Sequence, residues 1–360
     1  MVKLIMHNTN LLLMKVFILD FRNTISEILD GLTGDSVVDI NYLKEQSELH
    51  KNDENAIEIL RALGRKMFEI LPEDKKTDLC KIIGNTQESI DMIIQEAIFQ
   101  LKSEHNVEKA EKMFCSVIKE TPGMFKDDEE CEYHCFENPF QEVVYKVINN
   151  PEKNIRRASF NYTLIYYMYG YCLIENGRLD EAETALKTAH RWNPVSSQVM
   201  FELAEVYKST QRYEEYLYWT KKALKCAAAP DEIARAYRNL GFYYTDMEKY
   251  SISAAMYYFS MAFEKSKTAY SELFYISNKT GSVPEQPDIE TVRKIFEDED
   301  IQYGANDDII SVAVNLGMML EKDKNYEPAG YYYSIAYSLT DSEFIKDKID
   351  NINELIKGDS

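Results

Sequence analysis

Glycine and proline are scarce in this sequence, 13 and 9 among 360 residues. The tight turns of an all-β sandwich or barrel need many more of both, so that class is excluded. Positive charge is scarce too: 41 Lys plus Arg stand against 61 Asp plus Glu, a net charge of −20. Such a surface repels phosphate backbones, and no nucleic acid is expected as a partner. Long apolar runs are missing. The greasiest stretch, "LLLMKVFIL" at 11–19, is broken by Lys15 and closed by Asp20, well short of the ~18–20 residues of a membrane span. No small-x-small cleavage site follows it, so it reads as a buried first strand or helix capping the domain and not as a signal peptide. The cysteines (Cys80, Cys115, Cys131, Cys135, Cys172, Cys226) are dispersed, unlike the dense framework of a small secreted domain. A cytoplasmic protein with no membrane partner is expected.

Catalytic motifs are absent as well. There is no P-loop, G-x-G-x-x-G, H-E-x-x-H or G-x-S-x-G. The histidines (His7, His50, His105, His134, His190) form no constellation. One chemical candidate stands out, "CEYHC" at 131–135. On one face of a helix, Cys131, His134 and Cys135 would offer two thiolates and an imidazole to zinc. A structural site wants a fourth ligand, and no second Cys/His pair of familiar spacing exists. The order is also wrong for c-type haem attachment, where His follows the second Cys. No enzyme activity, cofactor or metal is therefore expected. A metal-binding protein built on Cys131, His134 and Cys135 ranks behind the binding functions below.

What the sequence does contain is repetition. "GRLDEAETALKTAHRWNP" (177–194) is an amphipathic helix with acids early, bases late and Pro194 as its stop. Its apolar stripe is made of Ala182, Ala185 and Ala189, with Leu186 as the bulky member. Small residues there point to a second helix at close range. Gly170 lies twelve residues before Ala182; Gly241 precedes Ser253, and Gly317 precedes Ala329, by the same twelve. Ala204 follows Gly170 by 34 residues, Gly241 follows Ala204 by 37, and Gly317 comes 76 further on, two periods of 38. Periods of this length announce a solenoid.

The pattern resembles the tetratricopeptide repeat (TPR), whose first helix carries an aromatic, Leu-Gly and Tyr, and whose second carries Ala, an aromatic and Ala, closed by Pro. Tyr237, Leu240, Gly241 and Tyr244 match the first helix fully, with Ser253 and Ser260 in place of the second-helix alanines. Tyr166, Gly170, Ala182, Leu186, Ala189 and Pro194 make another unit; Leu316, Gly317, Tyr326, Ala329, Tyr333 and Ala336 make a third. The resemblance implies an all-α, α-α superhelical solenoid of helix-turn-helix repeats over 91–341. Clear units are expected near 91–122, 163–196, 197–230, 234–263 and 310–341, with degenerate units at 123–162 and 264–300. Residues 1–90 are expected as a helical capping region, with "ENAIEILRALGRKMFEIL" (54–71) as one helix, and 342–360 as a C-terminal capping helix.

By that resemblance the first helices line a concave groove. Its register places Tyr167 and Tyr171, then Phe201 and Glu205, then Arg235, Arg238, Asn239 and Phe242, and finally Asn315 on the inner face. Chaperone-binding members hold a terminal carboxylate there with Lys and Asn. Here the corresponding places carry Tyr167, Tyr171 and Glu202, with only Arg235 and Asn239 compatible, so that clamp is not present as such. Two accounts compete for Arg235, Arg238 and Asn239. Spaced by three and four, they share a face that can grip an acidic segment; alternatively, Glu202 and Glu205 on the preceding helix pair with the arginines. The expected function is a non-catalytic scaffold or adaptor that binds a protein or peptide segment. The alternative is a peptide- or ligand-sensing regulator with a TPR sensor domain, although residues 1–88 show no basic recognition helix.

Overall fold

The computed structural model describes residues 24–51, 53, 56–70, 87–121, 123 and 125–358. The 11–19 stretch, His7, Cys80 and Pro122 lie outside them. The chain forms two compact units, one up to residue 89 and one from 90 onward. In the first, α1 (Ser36–Leu49) and α2 (Ala56–Ile70) pack together, and Ile28, Leu43, Ile59 and Leu63 form the core. Asp39 is buried but satisfied, accepting bonds from Thr33 and Gly34. Among the described residues no helix is long and apolar enough to cross a membrane.

The second unit is built from helix hairpins. Their helices are α3 (Gln87–Lys102) with α4 (Val107–Glu120), α6 (Tyr162–Glu175) with α7 (Leu179–Trp192), α8 (Ser197–Ser209) with α9 (Tyr213–Cys226), and α10 (Pro230–Asp246) with α11 (Tyr250–Phe263). Each second helix also packs on the next first helix, α7 on α8 and α9 on α10. The glycines explain the closeness. A methyl group on Gly170 would fall 2.7 Å from Leu186 Cγ, one on Gly241 2.8 Å from Tyr257 Cζ, and one on Gly317 2.7 Å from Tyr333 Cδ1. In each hairpin the contacting side chain comes sixteen residues after the glycine, so one geometry recurs. Ala182, Ala185 and Ala189 are buried in the same packing. The architecture is an all-α solenoid of helix-turn-helix repeats.

Two stretches depart from the expected repeat. Residues 123–162, expected as a degenerate helix pair, hold strand β1 (Cys131–His134), helix α5 (Pro139–Asn149) and strand β2 (Asn154–Arg157). The strands pair in parallel, Cys131 opposite Asn154. Asn138 caps α5, Pro139 opens it, and Asn150 ends it in the left-handed conformation just before Pro151. A helix cannot run through either proline, so one helix is all that fits between them.

The second departure is a reversal of direction. Helix α12 (Lys267–Thr280) packs on α10 and α11 as the next first helix. The partner expected behind it, α13 (Ile289–Asp298), instead turns back over α10 and α11. Pro284 O accepts a bond from Tyr258 Oη (2.8 Å), and the Phe296 ring stacks on Tyr237 (5.4 Å) and meets Phe259 edge-on (5.0 Å). Glu299 then takes bonds from Tyr244 Oη and Lys249 Nζ, and Asn306 Nδ2 reaches Lys225 O (2.8 Å). The last hairpin, α14 (Asp307–Lys322) with α15 (Tyr326–Thr340), is covered by α16 (Glu343–Gly358) and packs on α5. It does not extend the row beyond α12, so the stretch 91–341 is not one uninterrupted array.

Candidate functional site

The first helices α6, α8, α10 and α12 touch in that order and form a row. On it Tyr167 is half-buried, and burial, reinforced by the charge of Glu202, pushes its phenol up to about 12. Tyr171 stands at the edge, 36% exposed.

The middle of the row is occupied by its own charges. Arg235 Nη2 pairs with Glu202 Oε1 at 3.1 Å while its guanidinium covers the Phe201 ring at 4.7 Å. Arg238 Nη1 pairs with Glu264 Oε2 at 2.9 Å. Lys208 Nζ lies 3.7 Å from Glu205 Oε2 and 4.1 Å from the centre of the Phe242 ring. Glu202 is thus the partner of Arg235, as the structural account has it, whereas Arg238 takes Glu264 and not Glu205.

Three of the expected groove residues are placed otherwise. Phe201 is 1% exposed, packed in the core with the arginine across its ring, and offers no surface to a partner. Asn239 is buried as well; its carbonyl accepts a bond from Tyr216 Oη (3.0 Å), and its Nδ2 has no partner. Asn315 is exposed on α14, which packs with α15 and α5 and so does not join the other eight residues.

The place expected for α14 belongs to α12. Its Ala269, Leu273 and Ile276 face the core, while Tyr270 and Phe274, one turn apart on one flank, are 59% and 68% exposed. Sequence reasoning missed these two rings. The four-residue spacing in "KTAYSELFYISNKT" was readable, but without the glycine or its alanine substitute no register could be assigned to that helix.

The "CEYHC" segment is a strand and not a helix face. Successive side chains alternate in a strand, so Cys131 and His134 point to opposite sides. The Cys135 thiol donates to Phe160 O at 3.1 Å and is pushed up to about 11 by burial, which makes it a packed group and not a ready thiolate. The His134 ring lies against Tyr145 (4.6 Å) and Phe136 (5.2 Å). Among the described residues no group of His, Cys, Asp and Glu has the arrangement of a metal site.

A cavity of about 400 Å³ opens between α5, the start of α8 and α10, and α15. Glu137 and Glu232 stand in its wall, with Phe140, Val144, Val195 and Ile335 as apolar lining. Burial, with Glu232 nearby, raises the Glu137 carboxyl above its usual range. Glu232 itself is held by Ser197 Oγ (2.6 Å) and Ala228 N (2.8 Å) and secures the start of α10.

No family model matches the chain, and no curated protein matches it significantly. Among solved structures it is similar to a tetratricopeptide repeat protein from Parabacteroides merdae, with 13% identity over 74% of this chain and 99% of that one and a TM-score of 0.31. It is also similar to the human IFIT1 dimer with m7Gppp-AAAA, with 16% identity over 91% of this chain and 78% of that one and a TM-score of 0.27. The tetratricopeptide-like character of the hairpins rests on the chain's own spacing and packing.

Proposed function

We propose that the chain is a non-catalytic scaffold whose row α6–α8–α10–α12 docks a segment of a partner protein. The observation that carries this reading is the distribution of exposed rings. Tyr171 stands open at one end of the row and Tyr270 and Phe274 at the other, while the charges between them are already paired. Exposed aromatic side chains on a fixed backbone are the usual anchors of protein interfaces.

A protein segment fits better than nucleic acid, since the arginines of the row are neutralised and the whole chain carries −20. The test is affinity capture from native lysate with the Tyr171→Ser, Phe274→Ser double variant. Capture should fall away while the thermal midpoint stays put, because both side chains are exposed. Tyr218→Ser, exposed on α9, should retain capture. Undiminished capture by the double variant rules the row out.

A further inference from the structure

Among the described residues of its unit, no further helix covers the outer flank of the helix on which the row ends. Terminal units of solenoids normally present a polar outer face, because no further repeat hides their apolar side chains. Helix α12 breaks this rule with Tyr270 and Phe274. The last hairpin of the chain, which a regular array would stack there, lies on α5 instead.

Around these rings the charge runs against that of the molecule. Lys265 and Lys267 are exposed at the start of α12, and among the described residues no ion pair engages either. Of the acids nearby, Glu264 is already paired with Arg238, and Glu272 lies beside the Tyr257 hydroxyl. The first turn of α12 contains no acidic residue and Ser266 makes no side-chain cap, so the partial positive charge of the helix start adds to that of the two lysines. In a chain of net charge −20, this is a local basic rim beside an exposed aromatic pair.

We propose that the α12 end of the row receives an acidic segment of a partner protein carrying an apolar or aromatic anchor. The anchor packs on Tyr270 and Phe274, and carboxylates beside it meet Lys265 and Lys267. Charge complementarity of this kind selects the partner and its direction along the row more than it adds affinity. This inference rests on the reading of the row as a docking surface and adds the chemistry of the segment.

Isothermal titration of the full chain with two ten-residue peptides tests it. One alternates Glu with Leu and Phe; the other replaces every Glu by Lys. At about 0.15 M salt the screening length is about 8 Å, which confines the effect to charges beside the site and removes the general pull of an acidic protein on a basic peptide. The acidic peptide should bind at least tenfold more tightly than the basic one. Lys265→Glu with Lys267→Glu should reverse that order, and Phe274→Ser should abolish acidic-peptide binding. A preference for the basic peptide, an order untouched by the lysine reversal, or no binding of either peptide overturns the inference. So does self-association that Phe274→Ser removes, since the occupant would then be a second copy. If the inference fails while Tyr171→Ser alone still lowers capture of the natural partner, the docking row stands and only the chemistry assigned to its end is wrong.

Discussion

Gly241 and Tyr257 occupy one space: a methyl group on the glycine would lie 2.8 Å from Cζ and 2.9 Å from Cε1 and Cε2 of the ring. The ring is buried between α10, α11 and α12, with Ala269 and Leu273 in the same cluster, and has little room to retreat. Gly241→Ala should therefore destabilise the fold by ~1–3 kcal/mol, the usual range for overpacking. In a Tyr257→Leu background the same change should cost less. Urea denaturation of the four proteins checks this, and equal costs in both backgrounds would show that the contact does not set the helix spacing.

Helix α5 holds the last hairpin in place. Phe140 on α5 is 4% exposed and stacks on Tyr332 of α15 at 6.0 Å. Removing a buried phenylalanine ring typically costs roughly 3–5 kcal/mol. The Phe140→Ala variant should show faster amide exchange over α14, α15 and α16, with α6 to α11 nearly unchanged. Uniform acceleration along the whole unit would mean that the hairpin is not separately docked.

Acid should weaken the protein through His190. Burial, with the charge of Lys222 added, lowers its imidazole from 6.5 to about 3, and the ring lies edge-on to Trp219 at 4.8 Å. The folded imidazole stays neutral at pH values where the unfolded one takes a proton. Between about 6.5 and about 3 the unfolded chain binds more protons, so stability is full above this window and falls as pH drops through it. Urea midpoints followed by tryptophan fluorescence should fall between pH 7 and 5.5 in the natural protein. The fall should be smaller in His190→Leu. An equal fall in both assigns the acid sensitivity elsewhere.

What could be read from the sequence follows from how local each signal is. Gly170, Gly241 and Gly317 mark contacts within one hairpin, where a small residue is required whatever the rest of the chain does, and the structure places a large side chain against each of them. The strand at 131–134 depends on a partner at 154–157, beyond the reach of helical periodicity. The reversal after α12 depends on Phe296 finding Tyr237 and Phe259, contacts that no local pattern encodes. For that reason the repeat register points to Asn315 at the end of the row, where the fold puts Phe274. The spacing of Arg235 and Arg238 was legible and their acidic partners were not both so, because Glu264 lies past the end of α11 and outside the repeat register.

The most direct test of the docking row is site-specific photo-crosslinking. A photoreactive phenylalanine analogue placed singly at Tyr171, at Phe274 and at Tyr218 samples the two ends of the row and an exposed second helix off it. The account predicts that the probes at 171 and 274 capture the same partner protein, on two stretches of one continuous segment, and that the probe at 218 does not. Capture of that partner from 218 alone, or of unrelated proteins from 171 and 274, would contradict it.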